Sequence, residues 1–357
     1  MIKKIDFFLL IHITLCVVGL QASSPLVEIQ GLYNLPAIKE QIKNIQFEEI
    51  IFDAFVDQSK TSMHTRRAIL VRKNNAIGTV VVCHGYLGCK RDSIALKHLF
   101  PLYNVLAFDF RAHGDDRDGQ FSTIGRDEAF DVIGAVSVVK SDPAMKDKPV
   151  IVYGFSMGAV SAIQAQAMEP GLFDAMILDC PYDSTDEAMR RGLEEKMKWN
   201  IFGRQFTIPG KEFILYHMYD DASRMLTDIL FRIITQLDSK KVITKFVKVM
   251  PIESVKKITV PCFFIHCEND KKVPIHAVEA LYNNKEQGLK RLWITPGKGH
   301  FGSYQHNPEL YWYKVNKFLM KLHQQDASSR VQAKVCDHRT RVTISTAQLI
   351  NNKRDVA

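Results

Sequence analysis

Residues 149–158 read Pro-Val-Ile-Val-Tyr-Gly-Phe-Ser-Met-Gly, and the rest of the chain is arranged around them. Val150, Ile151 and Val152 form a β-branched run, the composition of a buried parallel strand. Gly154, Phe155, Ser156, Met157 and Gly158 then read G-x-S-x-G. Residues 159–168, AVSAIQAQAM, are helix-prone and meet no breaker before Pro170. A strand, a tight turn and a helix in that order push the serine side chain clear of the backbone. Ser156 then stands at a helix N-terminus, where the amide of Met157 and the helix dipole stabilise negative charge on a substrate oxygen. The five-residue motif alone is a weak signal. An acid and a histidine in the right order downstream make it a strong one.

The chain has 357 residues, 46% hydrophobic and 24% charged, which suits a globular protein with one large core or two modest ones. Its formal charge of +8 first suggests a basic solvated face, with peripheral contact with an anionic membrane surface as the alternative. No arginine-rich run or nucleic-acid motif is present, so no nucleic-acid partner is expected. At the N-terminus, Lys3 and Lys4 precede an apolar run, residues 7–20, broken only by His12 and Thr14. Gln21, Ala22, Ser23 and Ser24 follow. Residues 1–24 therefore read as a signal peptide and predict an exported protein, periplasmic or secreted. Leu20 is large for a cleavage site, so an uncleaved anchor is the alternative. Seven cysteines occur (Cys16, Cys83, Cys89, Cys180, Cys262, Cys267 and Cys336), without a C-x-x-C pair. No H-E-x-x-H helix occurs either, and no metal or organic cofactor is expected.

Outward from the central stretch, residues 47–56 and 64–72 alternate like antiparallel strands. Residues 79–83 are a short apolar strand running into His84, Gly85, Tyr86, Leu87 and Gly88. The amide of Tyr86 is a candidate oxyanion donor beside that of Met157. His84, at a strand end, reads as a structural histidine. Residues 93–100 are expected to be a helix and 103–110 a strand ending in DFRAHG (109–114). Residues 115–119, DDRDG, lack the spacing of a calcium loop and read as solvated. Residues 126–140 carry Ala129, Val132, Ile133, Val136 and Val139 at helical spacing, and 173–179 form another strand. Strand and helix alternate from residue 79 to 179, which predicts a mostly parallel twisted sheet with helices on both faces. In such sheets the ligand lies beyond the C-terminal strand ends.

Residues 182–255 break the rhythm and show no convincing strand. Leu226, Leu230, Ile233 and Leu237 recur at helical spacing, so a helical cap insertion is expected. The pattern resumes with a strand at 260–266, a helix at 276–283, a strand at 290–295 and a helix at 308–322. The division is then a core of 47–181 and 256–322, a cap of 182–255, and a polar tail, 324–357, expected to be disordered.

Ser156, Asp270 and His300 each follow a predicted strand, in the order Ser, Asp, His. A weak hydroxyl nucleophile needs a base, and the base needs an orienting carboxylate. Three loops at one sheet edge bring such side chains together. With HGYLG (84–88), DFRAHG (109–114), GFSMG (154–158), HCENDKKVP (266–274) and GKGH (297–300), residues 47–322 resemble the α/β-hydrolase superfamily. They look most like its serine aminopeptidase-like, lysophospholipase-like and dienelactone hydrolase-like branch. The resemblance implies Ser156 as nucleophile, His300 as base and Asp270 as orienting acid, with the amides of Tyr86 and Met157 as oxyanion hole. One departure stands out: Cys267 replaces the glycine of the usual HG before the acid loop, which predicts a differently bent loop and makes Asp179 the fallback acid. The expected reaction is acyl transfer to water on a small-molecule or lipid ester. A thioester, or a peptide with its amine held by Glu194, Glu195, Asp220 or Asp221, is an alternative substrate. A non-catalytic ligand-binding relative is the rival from another class.

Overall fold

In the computed structural model, residues 46–324 are described, apart from 116, 118, 197, 202–203, 208–215 and 218–241. The leader, the Leu226–Leu237 stripe, Asp220, Asp221 and the tail lie outside the described residues, and the side chains of Glu194 and Glu195 do too.

The core is one eight-stranded sheet in the order β1-β2-β4-β3-β5-β6-β9-β10. β1 (Gln46–Phe55) and β2 (Met63–Arg72) form an antiparallel hairpin at one edge. β2 runs antiparallel to β4 (Asn104–Phe108), and every later pairing is parallel. β3 (Thr79–Cys83), β4 and β6 (Ala175–Asp179) are buried along their whole length. Their sequences are near-continuous apolar runs because a parallel sheet is covered on both faces. β5 (Val150–Phe155), the central stretch, sits between β3 and β6, with Cys83 opposite Gly154 and Phe155 opposite Asp179. β9 (Cys262–Asn269) and β10 (Lys290–Lys298) complete the sheet. Both run past their expected ends, and their register shifts between Thr295 and Lys298.

Helices between residues 90 and 306 pack against the sheet. α1 (Lys90–Ile94) is one short turn continued by a 3₁₀ segment, Ala95–Leu99, where a single helix over 93–100 was expected. It starts early because the Cys89 amide donates to the Asp92 carboxylate at 3.1 Å, closing the first turn. α2 (Glu128–Ser141) and α3 (Met157–Met168) are both heavily buried. α3 is made largely of alanine and other small residues, which lets it press against the strands. After β6 come α4 (Thr185–Lys196) and two short antiparallel strands, β7 (Lys198–Ile201) and β8 (Arg204–Thr207). The expected all-helical insertion therefore contains a β-ribbon; at four residues each, these strands are too short to stand out as a period-2 pattern. α5 (Pro251–Ser254) leads back into the core, where α6 (Ile275–Asn284) lies between β9 and β10 in the chain. α7 (Gly302–His306) follows β10, and α8 spans 308–324 with Tyr311, Val315, Phe318 and Leu319 buried. Among the described residues no helix is long and apolar enough to cross a membrane.

Candidate active site

Ser156 links β5 to α3 with φ 52° and ψ −115°. A non-glycine residue with such a φ is strained and needs its surroundings to hold it. The hold is visible on both sides. The Ser156 amide donates to the Asp179 carbonyl at 2.8 Å. A Cβ on Gly154 would lie 2.5 Å from the Ala159 Cα, and one on Gly158 would lie 2.2 Å from the Cys83 carbonyl oxygen. The two motif glycines thus let α3 start directly against β5 and against the end of β3. Met157 opens α3, where the first amides have no carbonyl of their own helix to meet.

His300 follows β10 and lies between the two other predicted residues. Its Nε2 is 2.7 Å from Ser156 Oγ, and its Nδ1 is 2.7 Å from Asp270 Oδ2. Nδ1–H donating to the carboxylate leaves Nε2 free to accept the serine proton. The Phe155 ring packs against the imidazole, 5.0 Å between centroids. Asp270 Oδ1 accepts the backbone amides of Lys272 at 2.8 Å and Val273 at 3.1 Å. Burial pushes the Asp270 carboxyl up, but the His300 hydrogen bond and charge and the two amides outweigh it and hold the group below its usual range. Asp179, the fallback acid, is not the Nδ1 partner; its carboxylate has Tyr153 Oη at 3.3 Å and Cys180 Sγ at 3.2 Å.

The Cys267 departure leaves Asp270 in reach of His300. The reason lies across the gap. Gly302, at the start of α7, has no side chain, and a Cβ there would meet Cys267 Sγ at 2.6 Å. The space a glycine would have left on β9 is left on α7 instead.

The HG loop follows β3. His84 donates from Nδ1 to the Gly85 carbonyl at 2.8 Å and accepts the Phe110 amide at Nε2, 3.1 Å away. Burial, helped by His113, lowers its pKa to about 3, so it stays neutral, as a structural histidine should. Leu87 takes a positive φ of 67°, and Gly88 N–H donates to the Gly85 carbonyl at 3.0 Å, closing the turn that carries Tyr86. The Tyr86 phenol is 2.6 Å from Thr244 Oγ1, which ties this loop to the segment returning from the insertion. Tyr86 and Met157 therefore follow neighbouring strands at one sheet edge, beside Ser156.

Two buried carboxylates that sequence reasoning passed over set the surroundings. Asp131 on α2 accepts Arg66 Nε at 2.9 Å and takes the Arg111 backbone amide, Nε and Nη2 at 3.0, 3.0 and 2.9 Å. Glu128 accepts Ser122 Oγ, the Thr123 amide and hydroxyl, and the Gly125 amide, each at 2.8 Å. Ser122 Oγ lies 3.7 Å from Met157 Sδ, so this cradle borders the start of α3. The signal for the first was the arginine inside DFRAHG. The second left none, because a Glu in the first turn of a helix reads as a solvated N-terminal acid. Among the described residues, the one grouping of three metal-ligand types is Cys180, Asp270 and His300.

A family model described as the alpha/beta hydrolase family matches residues 80–311, well over half of the sequence. The chain belongs to that family. The stretch it covers includes every strand from β3 to β10 except the first residue of β3. The chain is 27% identical over 282 residues to the uncharacterized protein YqkD of Bacillus subtilis, covering 75% of this chain and 82% of that one. Among solved structures it is similar to the Pyrococcus furiosus esterase Pf2001, at TM-score 0.57 and 21% identity over 81% of this chain and 96% of that chain. The peroxisomal alpha-beta-hydrolase Lpx1 of Saccharomyces cerevisiae aligns at TM-score 0.51 and 16% identity, covering 79% and 90%. At these identities the two structures speak for the shared hydrolase fold.

Proposed function

We propose that this alpha/beta hydrolase is a serine hydrolase that cleaves a carboxylic ester through an acyl-enzyme on Ser156. The observation that carries the reading is the unbroken hydrogen-bond chain from Ser156 Oγ through both nitrogens of His300 to Asp270. Ser156 attacks the carbonyl carbon as His300 Nε2 takes its proton. Asp270 keeps the Nδ1–H tautomer and stabilises the imidazolium that forms. The amides of Met157 and Tyr86 receive the oxyanion. His300 then protonates the leaving alcohol, and a water repeats the sequence to release the acid. Every step is proton transfer or acyl transfer within this set of residues.

The esterase Pf2001 among the similar folds supports an ester over an amide substrate. Export of the chain, and its contact with anionic surfaces, rest on residues 1–24 and on the net charge of +8. Hydrolysis of p-nitrophenyl esters of increasing acyl length tests the reading. The expected result is turnover by the unaltered protein and a loss of at least about 10³-fold in kcat for Ser156→Ala, with an unchanged far-ultraviolet spectrum. Turnover retained by Ser156→Ala would refute the assignment.

A further inference from the structure

A thiol lies one step outside the Ser156–His300–Asp270 chain. Cys180 follows β6 directly, is fully buried and takes a positive φ of 52°. Its Sγ is 3.1 Å from the His300 carbonyl oxygen and 3.2 Å from Asp179 Oδ1, and its single S–H can donate to only one of them. Burial and the charges of Asp179 and Asp270 hold the thiol well above its usual range. That disfavours a free-standing thiolate nucleophile at this position. The sulfur has another capability. Cys180 Sγ, one His300 ring nitrogen and one Asp270 carboxylate oxygen all lie within 4.8 Å of one another. Thiol, imidazole and carboxylate are the three ligand types that zinc takes, in a set that leaves a fourth tetrahedral position open.

We infer that Cys180, His300 and Asp270 form an inhibitory site for a thiophilic divalent cation, zinc or cadmium, that switches the hydrolase off by capturing its base. The inference of inhibition rests on the serine-hydrolase reading; the inference of binding does not. On binding, the Cys180 S–H bond breaks and one proton leaves to solvent, while the neutral His300 imidazole moves its proton from Nδ1, the nitrogen beside Asp270, to Nε2. Sulfur–metal and nitrogen–metal bonds form, and Asp270 supplies a third ligand. No electrons change hands. One thiolate and one carboxylate balance the two positive charges of the ion, and Asp179 adds a further negative charge alongside. Tetrahedral ligands 2.0–2.1 Å from zinc stand about 3.3 Å apart. The 2.7 Å contact between His300 Nδ1 and Asp270 must therefore open. That is the hydrogen bond that orients the imidazole toward Ser156, so metal binding and the catalytic geometry exclude each other. Magnesium, which prefers an all-oxygen octahedral set, does not fit.

The test uses the full chain, with cadmium chloride as the spectroscopic probe and zinc chloride as the inhibitor. The unaltered protein should gain a thiolate-to-cadmium absorption band that Cys180→Ala lacks. It should release one proton per bound ion at constant pH. Zinc should inhibit p-nitrophenyl ester hydrolysis reversibly, with activity restored by a chelator, and magnesium should not. Cys180→Ala should keep its metal-free turnover and require about 10- to 100-fold more zinc for the same inhibition, as expected for the loss of a group that holds the metal. Equal zinc sensitivity in the two proteins, or a cadmium band that survives the substitution, would overturn the inference. Should Cys180→Ala fail to fold, Cys180→Ser takes its place. Should both fail, the absence of chelator-reversible zinc inhibition or of proton release in the unaltered protein overturns it. A cadmium band specific to Cys180 in a protein with no esterase turnover would leave the metal site standing and reject the serine-hydrolase reading.

Discussion

Asp270 divides its two oxygens between two jobs. Oδ2 faces His300 Nδ1, and Oδ1 is held by two amides of its own loop, so the carboxylate is fixed before any substrate arrives. Asp270→Asn should keep the shape and present the wrong tautomer of His300 to Ser156. The expected loss in kcat is about 10⁴-fold, measured on the best p-nitrophenyl ester, with little change in stability. A loss under about tenfold would mean that another group orients the imidazole. At this scale the sequence was highly legible for the residues that follow strands, because G-x-S-x-G, the acid loop and GKGH each punctuate a strand end. It was opaque for Cys180 and Glu128. Neither belongs to a spacing pattern; each matters through contacts made across the fold, 120 positions away in the case of Cys180 and His300.

Elements meet at this site through missing side chains. Gly158 brings α3 onto β3, and an added Cβ would enter the Cys83 and His84 carbonyls at 2.2 and 2.5 Å. Backbone cannot yield as a side-chain tip does, so Gly158→Ala should destabilise the fold by about 1–3 kcal/mol in urea unfolding and lower kcat as well. The α7–β9 contact is softer, because Gly302 faces the sulfur of Cys267. Gly302→Ala should cost stability in the parent, and Cys267→Gly introduced with it should restore most of the loss. Additive effects in that double-mutant cycle would show that the two positions do not compensate. Strand and helix order from residue 79 onward was readable because long apolar runs and 3.6-residue periods survive in a doubly covered sheet. The β7–β8 ribbon and the 3₁₀ segment were not, since four or five residues hold too little pattern to separate a strand from a helix.

Across the whole molecule, ionisable groups buried under the loops tie stability to pH. His84 is neutral when folded, with a pKa of about 3 against an unfolded value near 6.5. Between those values the unfolded chain binds a proton that the folded one refuses, so the stability that neutral His84 confers is complete above pH 6.5 and declines as pH falls toward 3. The slope is up to about 1.4 kcal/mol per pH unit. Urea unfolding at pH 7 and pH 4.5 should show that decline, and His84→Gln should shrink it; an unchanged pH difference would reject the buried-histidine account. Asp131 acts in the opposite chemistry. Burial raises its pKa, but Arg111 and Arg66 overcome that and hold it low. Its contribution is kept above the ordinary carboxylate range and lost only as pH falls through the lowered folded value. Asp131→Ala leaves two buried guanidinium groups without their anion, and a loss of about 3–5 kcal/mol is expected in the same assay.

The account stands on one event, the attack of the Ser156 hydroxyl with His300 as its base. A fluorophosphonate probe followed by peptide mass mapping reads that event directly. The adduct should fall on Ser156, and the His300→Gln protein should label about 10³-fold more slowly or not at all. An adduct on another residue, or equal labelling without His300, would contradict it.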